Sequence, residues 1–187
     1  MDAPINKICS LLPSTTEIVF ALGLGNKLVA VTHECDYPEE ATKLPAITSA
    51  AINTMDMSNR DLHNHVINAA HEGSSIYTLD QALLEQLAPD LILTQELCDV
   101  CAVSYDTVQA AVREIGGDYM VMSLEPTTLG AILETIEHLG KVTDTVNKAT
   151  AVIGELQRRI DTVTRQSQKA DKKPRVFTLE WMDPPFA

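Results

Sequence analysis

The run PDLILTQ at residues 89–95 sets the tightest constraint on what this chain can fold into. Its Leu-Ile-Leu centre does not alternate with polar residues, so both faces of the segment must be covered. That is the pattern of an inner strand in a parallel sheet with helices packed on either side. The flanking sequence supplies such helices. INKICSLL (5–12) is a β-favouring run stopped by Pro13, and Ser14 followed by Glu17 predicts a capping box at the start of a helix. Apolar residues including Ile18 and Leu22 form the face of that helix, and GLGN (23–26) ends it. KLVAVT (27–32) is the next strand. Helices are expected over 59–72, 80–88 and 104–115, and a strand over 118–124. Alternation of this kind with short connections predicts an α/β fold with a mostly parallel sheet flanked by helices.

Beyond residue 126 the pattern becomes helical. TTLGAILETIEHLGKV (127–142) leads into a stretch from 144 to 169 in which Val146, Ala149, Ile153, Leu156, Ile160 and Val163 step by three or four. A helix of that extent would be roughly 39 Å long, the width of a small domain. RVFTLEW (175–181) then reads as a strand, and a lone strand cannot bury two faces. The expected organisation is a lobe at 1–126, a helical segment with a long inter-lobe helix at 127–173, and the opening of a second, truncated lobe at 174–187.

Charge separates the same parts. Residues 1–140 hold 20 acidic and 5 basic side chains, and 141–187 hold 6 and 9. The net charge of −12 argues against nucleic acid as a partner, because phosphate neutralisation needs clustered Lys and Arg. No apolar run approaches the ~20 residues of a membrane span. The first residues lack a basic then apolar leader, so the expectation is either a cytoplasmic chain, as written, or one whose export segment is not in this sequence. Four cysteines are too few for a disulfide scaffold in 187 residues.

Ligands of parallel sheets bind beyond the carboxyl ends of the strands. The loops leaving those ends here are 13–17, 33–38, 96–101 and 125–127. His33, Cys35, Cys98 and Cys101 in them are a candidate Cys3His metal set, the basis of an alternative reading as a metal- or thiol-based sensor or enzyme. The other reading is that Cys98 and Cys101 shape the loop as small buried residues. A thioredoxin-type couple is disfavoured, because Ser104 is the better helix cap and leaves Cys101 outside the first turn. Ser14 and Ser123 follow strands without the G-x-S-x-G context of a hydrolase, and GLG follows a helix rather than a strand, which removes a nucleotide site. No catalytic residue is assigned. His63, His65 and His71 share no helical face, and Glu39 and Glu40 read as solvent-facing.

ICSLLPSTTEIVFALGLGNKLVAVTHECDYP followed by LAPDLILTQ resembles the vitamin B12 and iron-chelate periplasmic binding proteins of ABC importers. The likeness is strongest to the cobalamin branch that carries HECDYP and CDVC. The resemblance runs from about Ile8 to the C-terminus and implies two α/β lobes joined by a rigid helix, with a ligand held between them. It implies binding of cobalamin or another metal chelate, no resident cofactor, no catalysis, and docking on ABC permease subunits. The ligand-contacting residues it implies are Pro13, Ser14, Thr15, Thr16, His33, Glu34, Cys35, Tyr37, Gln95, Glu96, Cys98 and Cys101, with Asp80 a candidate for permease docking. In the cobalamin branch an aromatic side chain follows the PDL strand. Gln95 or Glu96 takes that place here, and Tyr37 and Tyr105 are the nearest aromatics.

Overall fold

Ile8–Ser10 forms β1, shorter than the β-favouring run around it, because the chain turns into a helix only three residues later. The structure, a computed structural model, describes residues 4–52, 57–72, 75–95, 103, 105–117, 119–179 and 181–186. Leu12 is extended, as a residue before proline must be, and Pro13 takes the first helical position, where its missing N–H costs nothing. Helix α1 therefore spans Pro13–Ala21, and the capping box expected from Ser14 and Glu17 does not form. The proline starts the helix two residues early, which leaves Ser14 exposed inside the first turn and Leu12 as a cap without a side-chain bond. The helix ends as expected. Gly23 sits at φ 78°, Leu24 N–H reaches Val19 O at 3.0 Å, and Gly23 N–H reaches Phe20 O at 2.9 Å.

The chain continues through β2 (Leu28–Val31), β3 (Thr48–Ala50), α2 (Asn59–Glu72), β4 (Tyr77–Leu79), α3 (Gln81–Leu87), β5 (Leu91–Thr94), α4 (Tyr105–Ile115) and β6 (Met120–Ser123). Four of these strands form one sheet in the order β2-β1-β5-β6, with every pair parallel. The expected α/β class with a parallel sheet flanked by helices is what forms. The two outer faces of the sheet carry separate cores. Ile8, Leu91 and Leu93 face α1 and the later helices, together with Val19, Leu22, Ile136 and Leu139. Cys9, Ala30 and Ile92 face the opposite way, with Leu84, Val108 and Ala111. All four residues of β5 are buried, as a strand covered on both faces requires.

An antiparallel pair of β3 and β4, with Thr48 opposite Leu79 and Ala50 opposite Tyr77, lies outside the sequence expectation. It leads directly into α3, where the Asp80 carboxylate accepts the Leu83 N–H at 2.9 Å. Asp80 is thus the N-cap of a seven-residue helix as well as an exposed acid. Replacing it with alanine is expected to cost about 1 kcal/mol, read as a melting point lower by roughly 2–4 °C. Asp80→Asn should recover most of that loss, since asparagine caps as well; equal loss in both variants would contradict the capping role.

Thr128 caps α5 (Leu129–Val142) through the Ala131 N–H at 3.1 Å, and α6 (Val146–Gln168) follows after a turn with Asp144 at φ 56°. The first half of α6 packs on α5 through Ala149, Val152, Ile153 and Leu156. From residue 161 onward it is exposed, with Val163 at 64%. The strand expected over 175–181 does not form. Val176 and Phe177 lie exposed without regular structure, and only a two-residue ladder closes, between β7 (Trp181–Met182) and β8 (Pro185–Phe186). A strand needs a neighbour to pair its backbone groups, and among the described residues no sheet edge meets this segment. Asp183 in the hairpin accepts Arg60 Nη2 of α2 at 2.7 Å.

Candidate functional site

The carboxyl ends of β1 and β2 open onto the same edge of the sheet, and two groups of polar side chains meet there. The first is a buried hydroxyl network under the β1–α1 turn. Ser10 Oγ lies 2.6 Å from Thr15 Oγ1 and donates to Leu12 O at 3.1 Å, while Thr16 Oγ1 donates to Ser10 at 2.8 Å. Thr15 Oγ1 also donates to Leu12 O at 3.0 Å, and Thr16 Oγ1 lies 3.2 Å from Cys35 Sγ. No buried side-chain nitrogen or oxygen among the described residues lacks a partner. A satisfied network of this kind locks the turn.

The second group surrounds His33. Its Nδ1 lies 2.8 Å from Thr48 Oγ1, and its backbone N–H donates to the same oxygen at 3.2 Å. Its Nε2 lies 3.3 Å from Glu34 Oε1. The Tyr77 ring sits with its centroid 5.4 Å away, tilted by 58°. Leu11, Pro13, Thr32, His33, Glu34, Thr48, Tyr77 and Val103 enclose a cavity of about 70 Å³. Val103 of this lining is tied to the end of β5, where Thr94 Oγ1 donates to Val103 O at 3.1 Å. Burial, with the Glu34 charge nearby, raises the Tyr77 hydroxyl above the ordinary tyrosine range, so Tyr77 stays a neutral donor. Two larger, open hollows lie away from this edge of the sheet, one of about 540 Å³ along α6 lined by polar side chains from Arg158 to Gln168, and one of about 460 Å³ between α5 and α6 lined mostly by apolar ones.

Of the twelve residues expected to meet a ligand, the structure brings Pro13, His33 and Glu34 to this cavity. Thr15 and Thr16 are buried beneath it in the hydroxyl network, and Ser14 and Tyr37 are exposed, Tyr37 at 65%. Cys35 turns away. It packs with Val19, Leu22 and Leu28 on the α1 face, and its thiol is raised above the ordinary range by burial, against the lowering effect of bonds from Thr16 and Thr32. Gln95 is half-buried at the end of β5. Glu96, Cys98 and Cys101 lie outside the described residues, as does Ser104. Among the described residues no three potential metal-ligating side chains gather. Sequence reasoning missed Thr48 and Tyr77, the two residues that orient His33. The alternation in ITSA and IYTL is the only signal that pointed to them, over runs of three residues each.

Below the site, burial pushes the Cys9 thiol up to about 12 from an ordinary value of 9.0. A folded-state value above the unfolded one means that the neutral thiol stabilises the fold fully below pH 9 and that this contribution fades as pH rises toward 12. Thermal melts of the chain should therefore fall between pH 9 and 12 more steeply than those of Cys9→Ala; parallel pH profiles would contradict this.

A profile of the periplasmic binding protein family matches residues 8–185. A vitamin B12-binding protein of Vibrio vulnificus is 51% identical over 47 residues, which are 25% of this chain and 17% of that protein. Among solved structures, the chain is similar to the periplasmic vitamin B12-binding protein of Vibrio cholerae, at TM-score 0.67 and 23% identity over 97% of this chain and 58% of that one. It is also similar to the periplasmic heme-binding protein of Vibrio cholerae, at TM-score 0.61 and 20% identity over 90% of this chain and 52% of that one. The chain thus spans about half the length of these solved structures, and the stretch matched to the Vibrio vulnificus protein is under a fifth of that protein. At these identities the structural likeness speaks for the fold. No described helix is long and apolar enough to cross a membrane.

Proposed function

Because the chain belongs to the periplasmic binding protein family, we propose that it is the N-terminal lobe and connecting helix of an ABC-importer substrate-binding protein for a corrinoid or related metal chelate. In this reading residues 1–126 hold one wall of the ligand cleft, 127–173 supply the connection, and 174–187 open the second lobe. The observation that carries it is the position of the His33 cavity, at the carboxyl edge of a parallel sheet, where such sheets take their ligands. A volume of about 70 Å³ is far below a tetrapyrrole. The ligand therefore lies across the cavity mouth, with the exposed Ser14, Glu34 and Tyr37 around it.

The family consists of solute-binding proteins, and the site has the character of a binding surface. Its hydroxyls are engaged with one another, and its histidine is held by Thr48 rather than aimed at a nucleophile. The acidic excess of residues 1–140 suits docking on basic permease surfaces, and Asp80 stands exposed at the start of α3 to take part in it. Equilibrium dialysis of the purified chain against cyanocobalamin, ferric protoporphyrin IX and a ferric siderophore tests the reading. Retention of at least one at near-stoichiometric level is expected, and retention of none above that of the heat-unfolded chain would overturn it.

A further inference from the structure

We propose that residues 175–179 of one copy of this chain add as an outer strand to the β6 edge of a second copy, which returns the same segment and closes a two-fold dimer. The inference goes beyond the functional reading above and stands without it. Two unfilled halves of one interaction carry it. The first is the edge. The sheet runs β2-β1-β5-β6, and its β2 end is closed by backbone bonds, Val31 N–H to Pro45 O at 3.0 Å and Ile47 N–H to Val31 O at 2.9 Å. β6 has β5 on one side and, among the described residues, no strand on the other. Met120 N–H bonds Asp90 O at 3.0 Å, and Leu124 N–H bonds Thr94 O at 2.9 Å. Backbone groups alternate along a strand, so Val121 and Ser123 turn their N–H and C=O to the open side. Such an edge is a template for another strand, and Met120 beside it is 41% exposed.

The second half is RVFTL itself. It has strand composition, yet Val176 is 79% and Phe177 75% exposed, and no ladder includes the segment. Its own β6 does not receive it. The segment follows α6, which ends at Gln168, and the hairpin after it is tied to α2 by the Arg60–Asp183 pair. Charge fits the two halves together. Lys169, Lys172, Lys173 and Arg175 stand against Asp171 alone on the way into the segment, whereas residues 1–140, which carry β6, hold 20 acidic and 5 basic side chains. Glu125 is exposed just past the end of β6, where it accepts Ser123 Oγ–H at 2.6 Å. An anionic membrane would attract the same basic stretch but repel the rest of the chain, whose net charge is −12. Antiparallel addition is the stronger pairing per residue, and it brings Arg175 to the Glu125 end. In that register Val176 and Thr178 exchange bonds with Ser123 and Val121, while Phe177 and Leu179 lie beside Met122 and Met120. Main-chain bonds then hold the strand, its alternate side chains select the site, and reciprocal exchange closes the dimer.

Sedimentation velocity of the 187-residue chain tests this, over a concentration series reaching about 0.5 mM, where small interfaces are populated. A monomer–dimer equilibrium without larger species is expected. Hydrogen exchange at the Val121 and Ser123 amides should slow as dimer forms, while the Met120 and Leu124 amides, already bonded within the sheet, stay unchanged. Val176→Pro removes a donor of the added strand at a side chain that the monomer leaves exposed, and it should weaken the dimer about tenfold or more. Glu125→Lys and Arg175→Glu should each weaken it about threefold, and the double variant should recover the loss. A chain that stays monomeric throughout the series would overturn the proposal, as would slowed exchange at Val121 in the monomer, which would mean that the segment pairs with its own β6. A dimer indifferent to Val176→Pro would overturn the role of the segment. Species that keep growing with concentration would overturn the closed exchange, and no recovery in the double variant would overturn the antiparallel placement.

Discussion

Leu93→Ala should lower the stability of this chain by about 3 kcal/mol, a large share of the roughly 5–15 kcal/mol that holds a domain folded. Leu93 is fully buried at the centre of β5, between β1 and β6, with Ser10 and Met122 as its register partners. Its side chain enters the core shared with Val19, Leu22 and Leu139. Truncation leaves a cavity that strands paired on both sides cannot collapse to fill. The matched control is Leu129→Ala, at a side chain 65% exposed on α5, which should change stability by less than ~0.5 kcal/mol. Urea melts will show the difference as a fall in midpoint at unchanged slope. Equal effects at the two leucines would mean that the sheet core is not the seat of stability.

Gly140→Val should be comparably damaging, for the opposite reason. Gly140 is buried in the last turn of α5, and a Cβ built there would lie 2.5 Å from Ala149 Cβ on α6 and 3.6 Å from Thr145 O. Two effects compete at this position. Helix propensity favours alanine over glycine by about 1 kcal/mol, whereas forcing α6 outward by more than an ångström costs about 1–3 kcal/mol. Packing wins, so even Gly140→Ala should destabilise, by about 1 kcal/mol, and valine by about 3 kcal/mol. Ala149→Gly in the Gly140→Ala background should recover part of that loss, because the two methyl groups collide with each other. Additive loss in the double variant would contradict the contact. The outcome bears on the proposed function because the α5–α6 junction sets the direction in which the long helix leaves α5.

How much of this was legible in the sequence depends on how each element is held. β5 announced itself through Leu91, Ile92 and Leu93, because burial on both faces leaves no room for polar alternation. The long helix was legible from its own three-four repeat, as was the end of α1 from a glycine at positive φ. Where tertiary partners decide, sequence reading failed. Ser14 has the right spacing to Glu17 for a capping box, yet Pro13 pre-empted the start of the helix. RVFTLEW has strand composition but no neighbour to pair with. β3 and β4 have three residues each, too few for a periodic signal, and they acquire order only against each other. Half of the site went with them. His33 and Glu34 stood out as polar residues in a loop after a strand, whereas Thr48 and Tyr77 come to His33 through a ladder formed 29 residues apart.

On the proposed function, ligand is held at the carboxyl edge of the four-stranded sheet around His33. Hydrogen–deuterium exchange of the chain, with and without the chelate that dialysis shows it retains, tests this most directly. Slowed exchange is expected at the amides of Leu11, Thr15, Thr16, His33, Glu34 and Thr48, with α5 and α6 unchanged. Protection confined to the apolar hollow between Leu129 and Val163, with no change around His33, would contradict the account.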